Sequence, residues 1–302
     1  MYLADMHCDS LLRVTSEHGL LTDYNTSQKH PKLQFFAHFV PRGNEPCELR
    51  RKRLMHFLDI YVSECQRLGL VPIKSCHDLN FALEFKKSSA LLSIEGGGGL
   101  FADSAELETL YLAGLRVLGI AWDTNELAAS CYDKNDTGLT EAGRALVLRA
   151  SEMGIILDLS HLSDRSAEEV LELSPYPVLA THSNFRDICT SPRNLPFNLA
   201  KKITARDGVI GLNLYPPFLK DGKKTEPEDI LRHVDYALEH FGESSLGFGF
   251  DIDGTDGEYP LTFSESESIY DRALELLFKH YNASTVEKIA GNNVIDFCKN
   301  NL

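Results

Sequence analysis

"GIILDLSHLSDRSAEEVLELSPYPVLATHSN" (Gly154–Asn184) decides the fold. It opens on a short apolar run, Ile155–Leu159, too brief for a helix and of the length of a buried strand. A segment of helical periodicity follows, with Ser163 where an N-cap belongs and Pro175 and Pro177 where the helix must stop. The chain then returns to a second apolar run, Val178–Thr181. Two continuously apolar strands joined through a helix of this length pair in parallel by a right-handed crossover, a connection that no hairpin can make. Each run is followed by a histidine, His161 and His182.

Outward from this unit the alternation repeats. Strand-length apolar runs occur at Tyr2–Met6, Leu33–Val40, Ala90–Ile94, Leu115–Trp122, Gly208–Tyr215 and Leu246–Ile252, which with the first two make eight. Helical periodicity separates most of them. "TEAGRALVLRASEMG" (Thr140–Gly154) ends on a glycine suited to a left-handed C-cap, and "EPEDILRHVDYALEHFG" and "SESESIYDRALELLFKHY" are amphipathic. Eight strand–helix units close into an α/β (β/α)₈ TIM barrel. With no linker, low-complexity tract or charge block, residues 1–302 are expected to form a single barrel domain. Its main elaboration is helical, around residues 41–89, where the charges of "EPCELRRKRLMHFLDIYVSECQRLG" suit a solvated helix face.

Composition narrows the partners. Lys plus Arg number 30 against 44 Asp plus Glu, a formal charge of −14 that repels phosphate backbones and anionic lipid, so neither nucleic acid nor membrane is an expected partner. No apolar run approaches the roughly 20 residues that span a bilayer, and the first residues lack a basic leader with an apolar core, which together suggest a cytoplasmic chain. Seven cysteines without CxxC spacing argue for reduced thiols rather than a disulfide framework or zinc ribbon.

In such a barrel the reactive centre lies at the C-terminal mouth, so the polar residues that end each run carry the chemistry. They are His7 and Asp9, Glu95, His161, His182 and Asp251. His7 and Asp9 lie two apart, so both reach the same side of a strand while Cys8 turns away. Any one strand-end histidine is more often a hydrogen-bonded core residue than a ligand. Several at the same end of successive strands are what a metal requires, namely convergent nitrogen and oxygen donors from separate elements. The three histidines with Asp9 and Glu95 alone exceed one tetrahedral site and suit two ions sharing a bridge. No run ends in a lysine that could be carbamylated, so Glu95, followed by the small residues Gly96–Gly99, is the candidate bridge. The glycine run also reads as a flexible turn, and no phosphate-binding glycine motif is present.

The segments "HCDS", "QFFAHFV", "SIEGG", "LTEAGRALVLRASEMGIILDLSH", "THSN", "SPRN", "GLNLY", "GFGFDIDG" and "GNNVIDF" resemble, in order and spacing, the metal-dependent dipeptidases typified by membrane dipeptidase. The resemblance covers nearly the whole chain. It implies a barrel of the metal-dependent hydrolase type with two Zn²⁺ per chain, His7 and Asp9 holding one ion, His161 and His182 the other, and Glu95 bridging. A hydroxide shared by the ions would attack the peptide carbonyl of a dipeptide, L-Xaa-D-Xaa substrates included. Asp251 would serve as the acid/base carboxylate, Arg193 would grip the substrate's terminal carboxylate, and Tyr215 would line the pocket. The resemblance also implies a homodimer, for which no apolar stripe in the sequence speaks.

One departure stands out. Many relatives carry a histidine after the fourth run, thought to polarise the scissile carbonyl, where this chain has Trp122 in "LGIAWDTNELA". Loss of such a donor can cost about 10²–10³ in turnover, unless a zinc ion, the indole N–H or Asp123 carries the charge. Trp122 is read here as a wall of the substrate pocket. Two other functions stay open: an amide or ester metallohydrolase of the same barrel type, and a catalytically impaired metal-holding peptide binder.

Overall fold

The computed structural model describes residues 1–14, 29–39, 46–100, 104–222, 224–255, 259–260 and 268–302. Its strands are β1 (Leu3–Cys8), β2 (Lys32–Phe39), β3 (Val71–Pro72), β4 (Ser89–Glu95), β5 (Leu115–Gly119), β6 (Ile156–Asp158), β7 (Ile210–Leu212) and β8 (Leu246–Phe248). They form one parallel sheet in the order β6-β5-β4-β2-β1-β8-β7, with β3 beside β4. The run Val178–Thr181 closes the ring. Leu179 N–H donates to Leu157 O at 3.0 Å on one side, and Gly211 N–H donates to Ala180 O at 2.7 Å on the other. The described part of every apolar run therefore contributes to the wall of an α/β barrel of the TIM type. Val40, residues 41–45 and residues 264–267 of the readings above lie outside the described residues.

Strand β3 was not expected from the sequence. It is two residues long and contains a proline, which is tolerated because it borders β4 only at Ser89 and Ala90, before β5 joins at Leu92. The expected helix signals fall where capping chemistry requires them. Thr140 Oγ1 accepts from Gly143 N–H and Ser163 Oγ from Ser166 N–H, both at 3.1 Å, and Gly154 takes φ +73°. Helix α1 (Cys47–Leu68) fills much of the elaboration. Its charges do more than face solvent, since Arg50 Nη1 donates to Gly98 O at 3.0 Å and Arg51 pairs with Glu106 at 2.9 Å.

Side-chain alternation along the staves produces two apolar layers. The outer layer includes Phe36, Leu92, Leu118, Ala180, Leu212 and Phe248 and meets the helices. The inner layer comprises Ala4, Met6, Leu33, Phe35, Leu91, Val117, Ile156, Leu179 and Val209. Its floor is plugged by Leu79 and Ala82 of α2 (Cys76–Glu84) and by Val294, Ile295, Phe297 and Cys298 of the C-terminal helix (Asn293–Asn301). The plug packs so closely that a Cβ at Gly247 would approach Val294 Cγ2 to 2.6 Å.

Strand β1 carries an irregularity that bears on the mouth. Asp5 pairs with Gln34 and Cys8 with Phe36, so three steps along β1 oppose two along β2. Met6 belongs to the inner layer and Cys8 to the outer one. The extra residue turns His7 inward directly after Met6, which regular alternation forbids. All seven cysteines are free thiols. Among the described residues no helix is long and apolar enough to cross a membrane.

Candidate metal centre

Six side chains from the ends of five staves converge at the mouth. His161 Nε2 lies 2.5 Å and His182 Nε2 3.1 Å from Glu95 Oε1, and the two imidazole nitrogens lie 3.0 Å apart. On the other side His7 Nε2 lies 3.6 Å from Glu95 Oε2, 3.8 Å from Asp9 Oδ2 and 3.9 Å from Asp251 Oδ1. Glu95 thus turns one oxygen toward the His161/His182 pair and the other toward His7. The His7 and His182 rings stack at 3.7 Å. Three overlapping sets bring donor atoms within 4.8 Å of one another: His7–Asp9–Glu95, Glu95–His161–His182 and His7–His182–Asp251.

The electrostatics of this cluster fit a divalent cation. Every member is buried, yet among the described residues His7 Nε2 and Asp9 Oδ1 have no hydrogen-bond partner. Buried polar atoms without partners cost about 1–3 kcal/mol each, so two of them side by side at the mouth call for a ligand. Burial pushes Glu95 well above the usual carboxylate range against the pull of His7, and raises Asp251 in the same way. Burial opposes the charged form of His7, but Glu95, Asp9 and Asp251 outweigh it and raise the imidazole to about 10. His161 and His182 are driven far below 6.5 by burial, with Arg193 and His7 adding to the effect. Neutral imidazoles and crowded carboxylates are what a dication recruits as ligands.

The backbone is bent to make this arrangement. His161 has φ +69° and Asp251 φ +61°, in the left-handed region that non-glycine residues seldom enter. Such strain at two clustered polar residues is a mark of a working site. A Cβ on Gly254 would approach Asp251 Oδ1 to 2.1 Å and Asp9 Oδ2 to 2.6 Å, so the loop after β8 closes tightly over both carboxylates.

The other expected residues gather around the same mouth. Arg193, which its own sequence context would leave on the surface, is only 3% exposed; it donates to Ser183 Oγ at 3.2 Å and to His182 O at 3.0 Å, which fixes its guanidinium. Tyr215 is half-buried after β7, its N–H donating to Asn213 Oδ1 at 2.7 Å and its ring meeting Phe218 at 4.9 Å. Trp122 is half-buried with its ring 5.4 Å from Phe39 and 6.1 Å from His161. Three supporting residues escaped the sequence reading. Asn213 Nδ2 donates to Asp251 Oδ2 at 3.0 Å, and Asp158 and Thr181 stand behind His182. Each is a polar residue inside or ending an apolar run, and that is the signal that could have found them.

The family model "Membrane dipeptidase (Peptidase family M19)" matches residues 1–300. The chain belongs to the membrane dipeptidase family. That membership makes it a metal-dependent hydrolase of peptide bonds, of the dipeptidase class. An uncharacterized Klebsiella pneumoniae protein from the region 5′ of pqqA is 31% identical over 221 residues, 70% of this chain and 81% of that protein. Dipeptidase aclJ of Aspergillus oryzae is 28% identical over 255 residues, 82% of this chain but 58% of the relative. Among solved structures, a Rhodobacter sphaeroides metallo peptidase liganded with a phosphinate mimic of the dipeptide L-Ala-D-Ala superposes with a TM-score of 0.87 at 22% identity, covering 100% of this chain and 99% of that one. This likeness supports the family's fold.

Proposed function

We propose that the chain is a zinc dipeptidase whose mouth holds two ions: one on His7 and Asp9, one on His161 and His182, with Glu95 between them. The observation that carries this reading is the division of Glu95, one oxygen facing each donor group. Bound zinc would lower the pKa of a water to roughly 7 and polarise a peptide carbonyl.

The chain's own residues supply the rest. Asp251 Oδ1 faces the cluster while Asn213 holds Oδ2, and burial raises its proton affinity. It takes the proton from the attacking water and passes it to the leaving amine. Arg193 presents a planar fork of donors suited to a terminal carboxylate, which favours a dipeptide over a longer peptide or an uncharged ester. Trp122 and Tyr215 line the substrate space on either side. The phosphinate mimic in the Rhodobacter sphaeroides protein makes L-Xaa-D-Xaa dipeptides a reasonable first panel for this chain. The catalytic unit is proposed as one barrel over residues 1–302, cytoplasmic and homodimeric.

Two measurements on one sample test the reading. Protein supplied with zinc should carry two ions per chain by elemental analysis. It should also release free amino acids from L-L and L-D dipeptides while leaving tripeptides largely intact. One ion or none per chain, or no turnover across the panel, overturns it; peptide binding without product would favour the metal-holding binder.

A further inference from the structure

The two histidines assigned to the second ion are supported unequally. His161 meets the backbone of Trp122 and no side-chain relay among the described residues, whereas His182 Nδ1 lies 2.8 Å from Thr181 Oγ1. Thr181 Oγ1 in turn lies 2.5 Å from Asp158 Oδ2. Asp158 Oδ1 accepts from two backbone groups, Ser160 N–H at 3.0 Å and Thr181 N–H at 2.9 Å. Asp158, Thr181 and His182 are all buried.

With both Asp158 oxygens accepting, and Ser160 Oγ farther away at 3.4 Å from Thr181 Oγ1, proton counting along this chain has one solution. The single Thr181 hydroxyl proton is directed to Asp158 Oδ2. Thr181 Oγ1 can then only accept from the imidazole, so His182 carries its proton on Nδ1. That leaves the Nε2 lone pair directed at Glu95 Oε1 and the metal centre. We infer that Asp158 and Thr181 are positioning residues: a carboxylate–hydroxyl relay that fixes the tautomer and ring plane of His182 for zinc. Partners behind a metal-bound histidine typically contribute 10–100-fold to affinity. This rests on the zinc reading above.

The geometry supplies a variant that inverts the relay without changing its shape. In Asp158→Asn the side-chain oxygen must stay toward the N–H groups of Ser160 and Thr181, because an amide NH₂ there would face two donors. The NH₂ is then forced toward Thr181 Oγ1 and donates to it. The threonine hydroxyl turns to donate to His182 Nδ1, and the imidazole proton moves to Nε2, where it blocks the metal. Thr181→Val removes the link without inversion, and Thr181→Ser restores it.

The experiment is zinc titration of the metal-stripped full-length chain against a chromophoric chelator, with the His182 tautomer read by long-range ¹H–¹⁵N NMR. Thr181→Val should lose about 10–100-fold in zinc affinity, Asp158→Asn should lose more, and Thr181→Ser should stay within about 3-fold of the natural chain. NMR should show Nδ1–H in the natural protein and Nε2–H in Asp158→Asn. A purely structural role would lower thermal stability in all three variants without reversing the tautomer. Unchanged zinc affinity in Asp158→Asn and Thr181→Val, or Nε2–H in the natural protein, overturns the relay. If the natural chain binds no zinc, the proposed function fails, while the tautomer in the metal-free protein still decides the relay on its own. Should Asp158→Asn fail to fold, the Thr181→Val and Thr181→Ser pair decides it.

Discussion

At the floor of the barrel Ala4, Leu33, Leu91, Leu179 and Val209 meet Val294 and Phe297 of the C-terminal helix in an apolar layer. At the mouth the same staves end in His7, Asp9, Glu95 and His182, and two neighbours, His161 and Asp251, adopt backbone conformations that L-residues avoid. A few residues along one strand separate the two regimes: Ala4 and Met6 pack, and His7 and Asp9 are the proposed ligands. Close packing below gives the wall one rigid geometry, and that rigidity holds unpaired polar atoms and left-handed backbone above in place. The floor is therefore expected to set stability and the mouth activity, with little exchange between them.

The largest expected effect is at the mouth. Asp251→Asn should lower kcat by about 10²–10⁴, the usual contribution of a positioned acid/base. It removes a buried carboxylate and keeps a residue that tolerates φ +61°, so zinc content should hold and the melting temperature should stay level or rise. Steady-state kinetics with differential scanning calorimetry checks both halves. A variant that loses activity by unfolding would break the division between mouth and floor.

The opposite variant lies in the floor. Phe297 is buried against the inner layer, and Phe297→Ala should cost about 3–5 kcal/mol of stability by urea unfolding. The kcat/KM of the folded fraction should remain within about 2-fold of the parent, given that independent, distant sites couple weakly. A comparable drop in kcat/KM would show that floor packing is transmitted to the ligands.

Arg193 belongs to the mouth by burial, and its proposed role is toward substrate rather than metal. Arg193→Ala should lower kcat/KM on dipeptides by about 10²-fold, as expected when a charged hydrogen-bonding partner is removed. Substrates whose terminal carboxylate is amidated should be affected far less. If the loss is equal for both, carboxylate anchoring is the wrong class of recognition, and the amide or ester hydrolase gains ground.

The same contrast explains what the sequence could reveal. Parallel staves buried on both faces read as continuous apolar runs, so the part of the barrel in Val178–Thr181 was legible although it forms only isolated bridges there. Polar residues that end such runs were legible as candidate ligands for the same reason, and the structure brings them together at the mouth. Strand β3 was not, because two residues with a proline carry no period. The irregularity in β1 was hidden too, since the inward turn of His7 depends on register against β2 rather than on local pattern. Asp158 and Asn213 lie within or beside short strands and looked like wall. Arg193 gave no local sign of burial; only the family resemblance in "SPRN" marked it.

The smallest effect is expected at Trp122, and it sharpens the comparison within the mouth itself. Phe39 is the register partner of Glu95, so the Phe39–Trp122 pair stands at the level of the candidate ligands, on the β2–β4–β5 side of the ring, away from Arg193 and Tyr215. Trp122 can approach that closely because Gly96, at φ +91°, has no Cβ to strike its backbone nitrogen at 2.9 Å. A dipeptide whose carboxylate is held by Arg193 would direct its N-terminal side chain toward this aromatic pair. Trp122→Ala should then reduce kcat/KM by about 10-fold for N-terminal Phe or Leu and leave N-terminal Gly nearly unaffected, the scale of losing one aromatic contact. A wall discriminates between side chains, whereas a donor to the reacting carbonyl acts on all substrates alike. A uniform loss across the panel in Trp122→Ala, together with a uniform gain in Trp122→His, would move Trp122 from specificity to transition-state stabilisation.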